Sequence, residues 1–266
     1  MTDIAAFTHP LVTSAALAPI QAALQSAFGP DRRPGLAPDL LVTDPTGWLP
    51  ATAMVDGSRL PDLLDAAKHR WRAAPHAAAA LAWKAYTYWL ALPPVLGWAA
   101  ARRVPLMDPA DVLVHFEDHR PLLTLGLRPS VRVAVLPSDP LARLGVPEIH
   151  VVPHEAALLA ALRGSLLDAH LAPLLARIRR EVHLGARTLL GSLASGVAYG
   201  VLRAADALPG SAVTNAGELL GALGVGDLVD LVRGPTGELG VQRRTCCLAF
   251  TLPEPKICSG CCIRPV

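Results

Sequence analysis

The five cysteines of this 266-residue sequence lie together, between positions 246 and 262. Four of them, Cys246, Cys247, Cys258 and Cys261, form the pattern Cys-Cys-x10-Cys-x2-Cys. The fifth, Cys262, lies outside this pattern. Sulfur is a soft ligand, and four thiolates are the usual ligand set of a structural zinc ion or an iron–sulfur cluster. In a reducing cytoplasm, clustered cysteines bind metal more often than they form disulfides. The pattern therefore predicts a metal centre.

Three chemistries compete for these cysteines. Disulfides need an oxidising compartment, and an odd number of cysteines leaves one thiol over. A zinc site typically uses two Cys-x2–4-Cys turns, whereas here only the second half of the pattern, Cys258-Ser259-Gly260-Cys261, is such a turn. Adjacent cysteines in extended backbone point to opposite sides, so Cys246 and Cys247 do not readily converge on one ion. A two-iron cluster spreads four ligands over two metals, and the pattern favours it.

The residues around the cysteines resemble those of a known family. "RRTCCLAF" followed by "CSGC" is similar to the motif of the FhuF family of ferric-siderophore reductases, which carry a [2Fe–2S] cluster on this spacing. The resemblance implies that Cys246, Cys247, Cys258 and Cys261 bind the metal and the cofactor and form the catalytic centre. Family members commonly have proline after the last ligand, where this sequence has Cys262. We therefore expect Cys261 to be the ligand and Cys262 a spare thiol.

The resemblance also implies an activity. The expected activity is that of a cytoplasmic reductase that transfers one electron to a ferric siderophore of the hydroxamate type. Fe(II) would then be released, because hard oxygen donors hold iron(II) far more weakly than iron(III). The sequence has no Gly-x-Gly-x-x-Gly after a predicted strand and no P-loop, so electrons are expected from a separate donor, a ferredoxin-like protein or a flavin reductase.

Basic residues flank the cysteine ligands. Candidates for steering an acidic donor or an anionic chelate towards the metal are Arg243, Arg244, Lys256 and Arg264. Positive charge near the ligands would also raise the reduction potential of a bound cluster. The alternative is an ordinary solvated basic segment.

Two other classes of function remain open. One is a non-catalytic protein whose iron–sulfur or zinc site is structural or senses iron. The other is a relative of siderophore-biosynthesis enzymes, because residues 168–201 are similar both to a helical segment of the FhuF family and to the C-terminal part of synthetases that join hydroxamates to carboxylates. Those synthetases need an ATP site and a longer chain and lack the cysteines, so the cysteines favour the reductase.

The composition indicates a globular protein. Hydrophobic residues make up 52% of the chain and charged residues 17%, with a formal net charge of +2. This charge argues against general nucleic-acid binding, which requires a concentrated basic surface. The first residues lack the pattern of a signal peptide, and no stretch of about 20 uninterrupted apolar residues occurs. We therefore expect a cytoplasmic protein with at most peripheral membrane contact.

The elements that must position the cysteines belong to a predominantly helical α+β fold. Residues 111–152 contain short β-branched or alternating segments bounded by Pro, Gly and Asp, which predict a small antiparallel sheet. Leu and Ala at helical spacing predict helices over 154–223, packed with that sheet. The predicted regions are an N-terminal helical and loop region of unassigned role (1–70), a FhuF-like core (71–240) and a cluster-binding tail (241–266).

Finer patterns predict details of the helices. The spacing of Trp83, Tyr86 and Leu90 indicates a buried aromatic helix, and Pro93-Pro94 is expected to end it in a turn. Three residues of a later helix are small enough to let another helix approach closely: Gly191, Ser195 and Gly200.

Histidines four residues apart offer an alternative metal site. His115 and His119 have this spacing, as do His150 and His154, and on a helix each pair would share one face. Both stretches have the pattern of strand ends and loops, however, and Pro153 interrupts the second pair. Capping or core hydrogen bonds are therefore favoured over metal binding.

Overall fold

The computed structural model of the chain describes residues 4–29, 35–116, 122–234 and 237–263. The predominantly helical α+β fold that the sequence predicts is confirmed. The α-helices of these ranges are α1 (Ile4–Phe28), α2 (Thr52–Val55), α3 (Leu60–Trp71), α4 (Pro75–Ala101), α5 (Glu155–Leu162), α6 (Ala172–Glu181), α7 (Ala186–Arg203) and α8 (Ala212–Ala222). A π-helical segment, Arg163–Leu171, joins α5 to α6.

Short strands form three small sheets in the described ranges. The strands are β1 (Leu36–Leu41), β2 (Leu49–Pro50), β3 (Arg103–Pro105), β4 (Val112–Phe116), β5 (Leu123–Leu127), β6 (Val133–Val135), β7 (Ile149–Val151), β8 (Val229–Arg233) and β9 (Leu239–Arg243). Their orders are β1-β5-β4-β2, β3-β6-β7 and β8-β9.

The strands expected over 111–152 are β4 to β7, but they do not form one antiparallel sheet. They divide between two sheets, and the pairs β1–β5 and β6–β7 are parallel. Strands from outside the predicted region complete both sheets, since β1 and β2 pair with β5 and β4, and β3 pairs with β6. Local periodicity identifies a strand but not its partner, and this explains the difference.

The N-terminal region begins with one long helix, α1, followed by the shorter helices α2 and α3. Helix α1 continues past both Pro10 and Pro19. Its residues Leu17, Ile20 and Leu24 are fully buried in the main core. This apolar packing offsets the backbone hydrogen bonds that the prolines remove.

Helix α4 is the central element of the core. The predicted aromatic helix is confirmed, because Trp83, Tyr86 and Leu90 are fully buried. The indole Nε1 of Trp83 donates a hydrogen bond to the carbonyl of Leu189 at 2.7 Å. This bond ties α4 to α7, the helix against which the cysteine segment packs.

The turn expected at Pro93-Pro94 is absent, because α4 runs through both prolines to Ala101. Each proline removes one helical hydrogen bond, at a typical cost of about 3 kcal/mol or more. The continuation buries Val95, Leu96 and Trp98 completely. Burial of each such side chain contributes about 1.5–3 kcal/mol, so tertiary packing maintains the helix where local preference would end it.

Two apolar helical stretches within the described ranges are long enough to cross a membrane. They are Leu11–Phe28 and Glu155–Glu181, both with mean hydropathy 1.3. Core helices of soluble proteins satisfy the same test of length and composition, and parts of both stretches are buried inside this fold. Length and hydropathy therefore do not distinguish a span from a core helix here.

Candidate metal centre

Strand β9 brings the two halves of the cysteine motif together. The backbone N–H of Arg243, at the end of β9, donates to the carbonyl of Gly260 at 2.9 Å. A Cβ at Gly260 would overlap the carbonyl oxygen of Val241 and lie 2.7 Å from the hydroxyl of Tyr199. Only glycine permits this approach. The Cys-Ser-Gly-Cys turn therefore lies directly against the strand that leads into Cys246.

Local hydrogen bonds fix both pairs of cysteines. In the second pair, the N–H of Cys261 donates to the carbonyl of Cys258 at 3.2 Å, and Nε2 of Gln242 donates to the carbonyl of Cys261 at 3.1 Å. In the first pair, the N–H of Leu248 donates to Sγ of Cys246 at 3.3 Å. Leu248 has a left-handed φ of 62°, which turns the chain immediately after the cysteines.

All five thiols are free of disulfides, and several of them interact with one another. Cys258 interacts electrostatically with Cys247 and Cys261, and Cys262 hydrogen bonds through its side chain with both Cys246 and Cys261. Cys247 and Cys261 are buried and the other three are half-buried. The fold therefore assembles the predicted ligands together with the predicted spare thiol.

Burial raises the pKa of two of the thiols, those of Cys258 and Cys262. Burial is the largest cause that raises the pKa of Cys258, while Lys84 and Arg243 act in the opposite direction. Burial likewise raises the pKa of Cys262 to about 11, with further contributions from Cys246 and Cys261. Thiolates at such close range repel one another, and a bound cation removes that repulsion.

The residues present fit a thiolate-bound metal group in their chemistry. Within the described ranges no three His, Cys, Asp or Glu side chains are arranged to hold a metal ion as they stand, so the thiols would have to reorient to converge on one. The segment just before Cys246 contains buried polar atoms without hydrogen-bond partners: Oε1 of Gln242, Nε and Nη1 of Arg243, and Oγ1 of Thr245. Unsatisfied N–H groups beside thiols are suited to donate to sulfur of a bound group.

The flanking basic residues have different environments. Arg243 is only 3% exposed and donates from Nη2 to Oγ of Ser192 at 2.9 Å. Arg244 is exposed and forms an ion pair with Asp230, with Nε and Oδ2 2.7 Å apart. Lys256 is exposed, and Arg264 lies outside the described residues. Arg243 is thus part of the interior of the site, whereas Arg244 and Lys256 lie on its surface.

A cleft of about 570 Å³ opens beside Cys258. Its walls are α4, α7, β9 and the cysteine segment, with Cys258 and Ser259 at one boundary. Side chains of α7 at helical spacing form one wall: Ser192, Ser195, Gly196, Tyr199, Leu202 and Arg203. The volume suits a small-molecule ligand, and anything bound there touches the cysteine segment.

Sequence reasoning missed the contribution of α4 to this cleft. Lys84 and Tyr88 are four residues apart, on one face of the helix, and both line the cleft. Gly196 of α7 faces Tyr88, and a Cβ there would make an ordinary contact 3.5 Å from its ring. The only available signal was the run of small residues in α7, which indicated a close approach without identifying the partner.

The small residues of α7 have distinct roles. The predicted helix contact occurs at Gly200, where a Cβ would lie 2.6 Å from Cδ2 of Leu92 on α4. Gly191 instead accommodates Thr245, just before the cysteines. Ser195 is buried and donates from Oγ to the carbonyl of Ser192 at 3.1 Å.

The histidine pairs form no metal site in the described ranges. His154 caps α5, with Nδ1 accepting from the N–H of Ala157 at 3.1 Å, and His150 is exposed on β7. His119 lies outside the described residues.

Comparison of the chain with models of known protein families and with curated protein sequences gives no match.

Proposed function

We propose that this protein is a one-electron reductase of ferric siderophores that uses a cysteine-bound [2Fe–2S] cluster. The observation that supports this most directly is the position of Cys258, which interacts with Cys247 and Cys261, at the boundary of a ligand-sized cleft. A structural metal site has no need of such a cleft. A reductase needs both a ligand site and a redox group within reach of it.

Four thiolates would hold the cluster: Cys246, Cys247, Cys258 and Cys261. A [2Fe–2S] cluster bound there supplies one-electron redox chemistry. The buried Arg243 would offset negative charge at the site, and its unsatisfied N–H groups would donate to sulfur. Cys258 lines the cleft, so a chelate in the cleft lies in contact with a ligand residue.

The reaction requires one electron and releases iron without cleaving the chelator. A separate one-electron donor, a ferredoxin-like protein or a reduced flavin reductase, is oxidised, and iron(III) of the chelate becomes iron(II). Oxygen donors bind iron(II) weakly, so the metal dissociates. The chain's own residues bind the chelate and keep it beside the cysteine segment.

The test is purification of the full chain without oxygen, followed by metal analysis and visible and electron paramagnetic resonance spectroscopy. We expect iron and acid-labile sulfide in equal amounts, and a red-brown colour that dithionite bleaches. Stopped-flow mixing of the reduced protein with a ferric hydroxamate should restore the colour. A colourless protein that contains zinc would overturn the proposal, and a cluster that no ferric chelate oxidises would indicate a structural or iron-sensing protein.

A further inference from the structure

The charges that line the cleft are all of one sign. Lys84 projects from α4, Arg203 from the end of α7 and Arg243 from β9, and the described lining residues include no Asp or Glu. None of these three cations has a salt-bridge partner in the part of the chain that the structure describes. An enclosed surface of one sign concentrates ligands of the opposite charge.

The cations lie at both ends of the cleft. Arg243 contacts Ser192, near the cysteines, whereas Arg203 is eleven residues further along α7. At 1.5 Å per residue this separation is about 16 Å. Tyr88, on the α4 wall, is close enough to Arg203 for the charge of the arginine to oppose the rise that burial causes in the pKa of Tyr88.

Neutralising the negative charge of a thiolate-bound metal centre would explain the positions of only some of these cations. Lys84 and Arg243 act on Cys258 directly, and a metal centre with four thiolates is anionic. Arg203 is about two Debye lengths from that end at physiological ionic strength. Its guanidinium donates to the carbonyl of Ala27 at 2.8 Å and lies over the ring of Phe28, contacts that leave its charge unneutralised.

We propose that this cleft selects ferric chelates with net negative charge, such as those that carry free carboxylate groups, over neutral or cationic ones. Arg203 would pair with an anionic group at the far end, while Lys84 and Arg243 attract the chelate to the cysteine end. Tyr88 and Tyr199 supply apolar walls with polar tips. The inference rests on the proposed function for the identity of the ligand as an iron chelate.

The test uses redox-inert gallium(III) complexes, so that binding is measured without electron transfer. Desferrioxamine B, its N-acetyl derivative and its N-succinyl derivative share one chelating core, and their gallium complexes are cationic, neutral and anionic. Isothermal titration calorimetry with the full chain should give the tightest binding for the succinyl complex and the weakest for the cationic one. No binding of any complex, or the reverse order, would overturn the inference.

Variants of Arg203 test whether the cleft causes the preference for anionic chelates. We expect Arg203→Gln to weaken binding of the succinyl complex by about tenfold, the typical effect of losing one charge-assisted hydrogen bond. Arg203→Lys keeps the charge and should retain most of the affinity. The matched control is Arg187→Gln on the same helix, because Arg187 pairs with Asp227 and does not line the cleft. Equal losses in Arg203→Lys and Arg203→Gln would indicate a packing role and refute the inference.

Failure of this inference and failure of the proposed function are distinguishable. Charge-ordered gallium binding by a protein that reduces no ferric chelate would refute only the reductase. Reduction of ferric hydroxamates with gallium binding in the reverse order would refute only the charge preference. If Lys84→Gln lowers the iron content while Arg203→Gln leaves gallium binding unchanged, the cations serve the cysteine site alone and the preference is refuted.

Discussion

The side chain of Thr245 packs directly against the Cα of Gly191 on helix α7. Thr245 is the residue before the cysteine pair, and Gly191 is the residue of that helical turn that has no side chain. A Cβ at Gly191 would overlap Oγ1 of Thr245 and lie 2.8 Å from its Cβ. Thr245 is short and buried, so it cannot rotate out of the way. This contact determines where Cys246 and Cys247 enter the site.

Gly191→Ala should therefore disturb both stability and the metal centre. We expect a loss of about 1–3 kcal/mol in the free energy of unfolding, as is typical of overpacking, and a lower iron content as Cys246 is displaced. The control is Gly217→Ala, at an exposed position of α8 where a Cβ would meet nothing within 4 Å. That variant should be more stable by about 1 kcal/mol. Urea unfolding and iron analysis of both variants measure the effects, and unchanged iron content in Gly191→Ala would contradict the expectation.

A buried histidine makes stability depend on pH. His170 is fully buried, with Nδ1 2.7 Å from the carbonyl oxygen of Met107 and Nε2 2.7 Å from the hydroxyl of Tyr86. A carbonyl only accepts, so Nδ1 carries the proton and Nε2 accepts from Tyr86. Burial lowers the pKa of His170 from 6.5 to about 4. Between these values the unfolded chain binds more protons, so stability falls as the pH decreases from about 6.5 to about 4, by about 3 kcal/mol in total.

The measurement is urea unfolding at several pH values for the wild type and for His170→Asn, whose amide can still donate to Met107. The wild type should be the more stable protein at pH values above the 6.5 of a free histidine. Its advantage should shrink as the pH approaches 4, because only in the wild type does the unfolded chain bind a proton at position 170 that the folded protein does not bind. Parallel pH profiles for the two proteins would show that His170 does not cause the dependence.

The sequence alone identifies the candidate cysteines, but it does not identify the cleft beside Cys258. Cysteine spacing identifies the ligand candidates. The Cys-Ser-Gly-Cys turn is local, so the conformation of residues 258–261 can be predicted without a structure. Gly260 and Val241 belong to segments that are close in the sequence, so their contact could also be inferred from the sequence. The cleft is different, because Lys84 and Cys258 are far apart in the chain and only the packing of α4 on α7 brings them together.

The same distinction applies to the fold. Strands β4 to β7 were predicted from alternation and turn residues, which are local properties. The pairing of β1 with β5 depends on a contact between distant parts of the chain and has no local signal. At Pro93 and Pro94 the local signal pointed the wrong way, because the buried residues beyond them stabilise the helix more than the prolines weaken it.

Neighbouring arginines should differ in their effect on the reduction potential of a bound cluster. Arg243 is buried with two unsatisfied N–H groups, whereas Arg244 is exposed and paired with Asp230. Reduction adds negative charge, which a nearby cation stabilises, and solvent screens exposed charges strongly. Arg243→Met should lower the potential, and Arg244→Gln should leave it nearly unchanged. Redox titration followed by electron paramagnetic resonance compares them, and equal shifts would contradict a special role for Arg243.

The last two cysteines can be told apart by single substitutions. Cys261 is buried, and its backbone is hydrogen bonded to Gln242 and Cys258. Cys262 is half-buried, and its side chain interacts with those of Cys246 and Cys261. We expect serine at Cys246, Cys247, Cys258 or Cys261 to abolish the visible chromophore, because a hard hydroxyl replaces a soft ligand. Cys262→Ser should retain it, with iron content close to that of the wild type. The reverse result, in which Cys262→Ser is colourless and Cys261→Ser is not, would place the fourth ligand one residue later and make the buried Cys261 the spare thiol.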